Sequence, residues 1–210
     1  MLSPSIKISL TSKTRWTSNM TARIQILLAL LLFSSAAMAA PARQDSGSWL
    51  PDLMFAQAGT DSTTTSAYAL GAVWDWNWRR RYGLGMVTGY TEGTVGQWQT
   101  DDAARGGPHS YTQLGVTPVL RFFPGDYNDR WFAELGLGVN YITPVYQGYG
   151  KSFSTEVNFG DHVGFGRLLG SHRLASVALR MQHFSNGGID RPNPGENFVQ
   201  LRYTYQFKAD

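Results

Sequence analysis

A histidine and a serine stand two residues apart in the run Gln182-His183-Phe184-Ser185-Asn186-Gly187-Gly188. An imidazole beside a hydroxyl is the pairing that activates an alcohol: the ring takes the proton as the oxygen attacks a carbonyl. On a β-strand, residues i and i+2 share a face, with side-chain origins about 6.5–7 Å apart. A bent serine and an imidazole can bridge that gap. His-x-Ser alone is a common pair, so its meaning depends on the loop that follows and on the face that carries it. The connection from Asn186 to Glu196 contains glycines and asparagines able to donate hydrogen bonds to an oxyanion, and it brings a carboxylate to the next segment. A nucleophile, a base and an orienting acid can therefore meet within one hairpin.

The elements that must position these groups are strands. Trp131, Ala133, Leu135, Leu137, Val139 and Tyr141 alternate with Phe132, Glu134, Gly136, Gly138 and Asn140. Val199, Leu201, Tyr203, Tyr205 and Phe207 alternate with Gln200, Arg202, Thr204 and Gln206, and Tyr68 to Trp78 follows the same pattern. Eight such segments are expected, at about 49–58, 66–78, 82–98, 109–122, 130–143, 152–168, 173–185 and 197–207. A soluble sandwich would also alternate, but with a polar outer face. Here the repeated face is apolar and bounded by Trp and Tyr, as at membrane interfaces. The expected fold is all-β, an eight-stranded antiparallel transmembrane β-barrel. With both termini periplasmic, the odd-numbered connections lie outside the cell and should be longer than even ones such as Arg79-Arg80-Arg81. The connection after Ser185 is the seventh. Ala175, Val177, Leu179, Met181, His183 and Ser185 share a face opposite Ser176, Arg180 and Gln182, which places the His-Ser pair at the extracellular end of the lipid-facing side.

The first 39 residues hold Lys7, Lys13, Arg15 and Arg23 and no acid, then the apolar run Ile24 to Phe33, then Ala37-Met38-Ala39. This describes a secretory signal peptide over 1–39, with Met20 an alternative start, leaving a barrel domain over 40–210. Of 18 basic and 15 acidic residues, four basic ones leave with the leader, so 14 remain against 15. No electrostatic case for nucleic-acid binding survives. There is no cysteine, hence no disulfide and no thiolate metal site. His109 and His162 lack ligands at metal spacing, and no cofactor is implied. Glu134 and Arg180 are expected to pair in the lumen, and Lys151 and Arg191 to face lipid phosphates.

His183-Phe184-Ser185-Asn186, followed by Pro192-Asn193-Pro194-Gly195-Glu196-Asn197-Phe198, resembles the C-terminal signature of the PagL-type lipid A 3-O-deacylases of Gram-negative outer membranes. The motifs cover about the last 30 residues, and the leader and strand count agree less specifically. The resemblance implies Ser185 as nucleophile, His183 as general base and Glu196 as orienting acid, with Asn193 and the Gly188 backbone N–H as the oxyanion hole. One point departs from the pattern. Strict alternation turns Glu196 to the lumen and Asn197 outward, unless a bulge or a late start of alternation re-aims Glu196. Glu196 is retained because only a carboxylate stabilises an imidazolium by charge; Asn197 is the alternative.

The resulting expectation is an esterase of the bacterial outer membrane, its site toward the extracellular leaflet, acting on lipid A of lipopolysaccharide among membrane lipids. The position-3 specificity comes from the resemblance alone. A homo-oligomer is compatible with an exposed site, and nothing in the sequence specifies one. The alternative is a non-catalytic barrel serving adhesion or membrane integrity. A lipid A acyltransferase would want a hydrocarbon-lined lumen, which Arg180, Gln200, Arg202 and Gln206 oppose.

Overall fold

The computed structural model describes residues 50–102, 107–125 and 129–206. The expected leader and the tail after Gln206 lie outside the described residues. The strands are β1 Leu53–Thr60, β2 Thr65–Tyr82, β3 Gly85–Asp102, β4 Gly107–Pro124, β5 Trp131–Thr143, β6 Gln147–Gly148, β7 Lys151–Ser152, β8 Val157–Leu169, β9 Ala175–Ser185 and β10 Glu196–Gln206. Eight of them close an antiparallel barrel in the order β1-β10-β9-β8-β5-β4-β3-β2, while β6 and β7 pair as a small separate hairpin.

Alternation sets the two faces. Leu70, Val95, Leu114, Leu135, Val163, Leu179 and Leu201 are exposed on the outside. Glu92, Glu134, Arg180, Gln200 and Arg202 are buried inside. This inverts the polarity of a soluble protein and is the arrangement a bilayer demands, because closure leaves no strand edge in lipid. The eight expected segments are the eight barrel strands.

Three differences in detail have physical causes. Arg79, Arg80 and Arg81, expected in a turn, lie within β2, which shifts register between Asp75 and Arg79 and turns only at Gly83-Leu84. Asn77 takes the left-handed conformation there (φ 57°). Rings of β2 lie over glycines of β3, so that a Cβ at Gly89 would clash with Trp76 and one at Gly93 would sit 3.3 Å from Trp74. The β3–β4 hairpin is also longer than expected, its pairing running to Asp102 and Gly107. Lastly, the sixth segment starts at Val157 rather than 152, because residues 144–156 fold as a cap carrying the β6–β7 hairpin.

The lumen is layered. At mid-height Arg180 bonds Glu134 (Nε–Oε1 2.6 Å) and Glu92 (Nη1–Oε1 3.1 Å), Arg202 bonds Glu92 (2.6 Å) and Arg121 bonds Glu134 (3.0 Å). The expected Glu134–Arg180 pair is thus part of a larger network that also takes in the Tyr90 hydroxyl. Above it, toward the 186–195 connection, Trp98, Tyr111, Ile142, Tyr146, Phe153, Phe184 and Phe198 form an aromatic plug. The 144–156 cap contributes Tyr146 and Phe153 to the plug, and so closes that end of the barrel.

Candidate active site

His183 and Ser185 lie at the end of β9 and share a parity, as their spacing requires, opposite the inward Arg180 and Gln182. The register pairs His183 with Asn197 of β10, and His183 Nδ1 lies 2.8 Å from Asn197 Oδ1. An amide oxygen only accepts, so Nδ1 carries the proton and Nε2 is left as the basic nitrogen. Gly195, in the left-handed conformation (φ 70°), passes against the same ring: a Cβ there would lie 2.6 Å from His183 Cε1. Only glycine fits both that φ and that approach.

Glu196 does not reach the imidazole. It faces inward and is almost wholly buried, accepting from Tyr146 Oη at 3.1 Å and from Lys151 Nζ at 2.7 Å. Tyr146 Oη also meets Thr65 Oγ1 at 2.7 Å. Burial raises the Tyr146 phenol well above its ordinary pKa, so it remains a donor to the carboxylate. β10 alternates regularly from its first residue, with no bulge, so Asn197 takes the place beside His183 and Glu196 the inward one. Lys151, expected to face lipid phosphate, is instead committed to Glu196.

The 186–195 connection is organised by Asn186. Its Nδ2 donates to Ser154 Oγ at 2.8 Å and to the Asp190 carbonyl at 2.9 Å, while its Oδ1 accepts the Gly188 N–H at 2.8 Å. Its backbone N–H donates to Asn193 Oδ1 at 3.0 Å. Gly187 and Gly188 both have positive φ, which makes this tight turn possible. Ser185 is buried despite its outward parity. Of the two expected oxyanion donors, Asn193 uses its oxygen within the loop, so Nδ2 is its donating atom. Gly188 already gives its N–H to Asn186. Sequence reasoning missed Asn186 and Ser154 as organisers, and Gly195 as the residue against the ring. The Asn-Gly-Gly run was the one available signal.

The model of the family described as lipid A 3-O-deacylase (PagL) matches residues 66–206. The chain belongs to this family. A lipid A deacylase PagL of Bordetella bronchiseptica is 39% identical over 106 residues, covering 50% of this chain and 56% of that protein. One from Pseudomonas aeruginosa is 31% identical over 152 residues, covering 70% and 82% respectively. Among solved structures, that of the outer membrane enzyme PagL superposes with a TM-score of 0.64 at 26% identity, covering 74% of this chain and 99% of that one. The chain is thus a family member with the family's barrel, and its place is the bacterial outer membrane.

Proposed function

We propose that the chain is a serine esterase that removes the acyl chain ester-linked at position 3 of lipid A, working from the lipid-facing barrel surface in the outer leaflet. The observation that carries this reading is the outward pair at the end of β9. His183 has Nδ1 bound to Asn197, so Nε2 is available to the neighbouring Ser185. Ser185 Oγ attacks the ester carbonyl carbon and its proton passes to Nε2. The tetrahedral oxyanion is held by Asn193 Nδ2 and by the Gly188 N–H, which turns to it from Asn186 Oδ1. Collapse breaks the bond to the sugar oxygen, which takes the proton from His183 and leaves as a hydroxyl. Water, deprotonated by His183, then releases the fatty acid and restores Ser185.

Because the ester sits at headgroup depth while its acyl chain stays in hydrocarbon, the enzyme need not extract its substrate. Glu196 serves by holding the cap through Tyr146 and Lys151, and Asn197 replaces it as the group that sets the imidazole tautomer. The test is expression in Gram-negative cells followed by mass measurement of lipid A. Wild type should remove one hydroxyacyl group, and Ser185→Ala should leave lipid A intact with the barrel assembled. An unchanged lipid A mass with wild type would leave the non-catalytic barrel as the reading.

A further inference from the structure

The outward row that contains His183 has a second polar member. In the register of β8 against β9, Asp161 is the partner of His183, and in that of β9 against β10, His183 is the partner of Asn197. Across β5 and β8, Leu137 is the partner of Asp161. Four adjacent strands therefore place Leu137, Asp161, His183 and Asn197 side by side on the outer face. Directly opposed residues on one face of an antiparallel pair have Cβ atoms about 4.5–5.5 Å apart. Leu137 is apolar and buried, so it offers the Asp161 carboxylate no hydrogen bond on that side. Asp161 Oδ1 is buried and has no hydrogen-bond partner.

Burying a carboxylate oxygen without a partner is costly, and a positive charge formed beside it relieves that cost. The proposed reaction forms one there, on the His183 ring. Glu196 is turned away: it faces the lumen and is paired with Lys151. Asp190 and Arg191, the charged residues of the 186–195 connection, are exposed. Asn197 orients the ring but carries no charge.

We propose that Asp161 is the acidic partner of His183, its carboxylate stabilising the imidazolium formed as Ser185 loses its proton, while Asn197 alone fixes the tautomer. The inference rests on the Ser185–His183 esterase reading. It divides between two strands the two tasks that one carboxylate performs in a Ser-His-acid triad. Asp161 is a positioning residue in this scheme, acting through His183 rather than on the substrate.

The experiment is steady-state kinetics of the full chain refolded in detergent micelles, with purified lipid A as substrate and heat-modifiable gel mobility as the check on assembly. Asp161→Asn should lower kcat at least tenfold with KM within about twofold, and Asp161→Glu should recover most of the loss. Asn197→Asp, which puts a carboxylate on the other side of the ring, should raise kcat of Asp161→Asn at least tenfold, and by a clearly smaller factor when Asp161 is present. The same factor in both backgrounds would overturn the proposal. So would wild-type kcat in Asp161→Asn, or a change confined to KM, which would make Asp161 a substrate contact. If Asp161→Asn fails to assemble, Asp161→Ser takes its place with the same outcomes. Ser185→Ala, run beside these, separates the two readings: an active Ser185→Ala sinks the esterase itself, whereas an inactive one with a fully active Asp161→Asn sinks only the role of Asp161.

Discussion

Asn197 gives the His183 ring an orientation but not a charge, and Glu196 has a charge but faces away from the ring. The two side chains should therefore fail in different ways. Asn197→Ala removes the acceptor of Nδ1–H and frees the tautomer, so kcat should fall about 10²-fold with stability nearly unchanged, measured on assembled barrel. Glu196→Gln should lower kcat only about threefold or less. Its cost should appear in thermal unfolding, at about 1–3 kcal/mol, because Lys151 loses its counter-charge in a partly buried place. If Glu196→Gln loses as much activity as His183→Ala with the fold intact, the carboxylate acts on the imidazole after all.

At the scale of elements, the site is the junction of the end of β9, the 186–195 connection and the 144–156 cap. Asn186 ties the last two together through Ser154. Asn186→Ala would strip three hydrogen bonds from the loop and leave Gly187 and Gly188 to wander. Deacylation should fall about 10–100-fold while the barrel strands stay intact by circular dichroism. Gly195→Ala is the sharper probe. It would put a side chain at φ 70° and drive its Cβ into His183 Cε1. A loss of about 10²-fold or more in kcat is expected, since displacements near 1 Å have that effect. Wild-type activity in Gly195→Ala would show that the ring does not need its present position.

At the scale of the molecule, the barrel must satisfy charges inside and lipid outside. Arg180 bridges Glu92 and Glu134 with its side chain fully buried, so Arg180→Met leaves each glutamate with a single arginine. A loss of about 3–5 kcal/mol is expected, read as a lower unfolding temperature in detergent. On the outside, Leu135 is exposed and pairs with Val163 near mid-height. Leu135→Arg should cost about 2–4 kcal/mol in a bilayer and far less in a detergent that wraps the charge. Equal costs in both media would mean that this face does not meet hydrocarbon.

Period-two alternation by itself determined the barrel and its inward and outward faces, and it set His183 and Ser185 on the parity opposite Arg180 and Gln182. These follow because a strand leaves each side chain only two directions, and the 186–195 loop was legible from its Asn, Gly and Pro. The same parity pointed Glu196 inward, but the need for a carboxylate outweighed it, since no local signal said where another acid could come from. What only the tertiary structure decided lies across strands. Register set Asn197 and Asp161 on either side of His183, the cap brought Tyr146 and Lys151 to Glu196, and loop closure laid Gly195 on the ring. Asp161 is 22 residues from His183 in sequence and its immediate neighbour in the sheet. Such neighbours depend on the register of strand pairing, which is fixed when the whole barrel closes rather than by any segment alone.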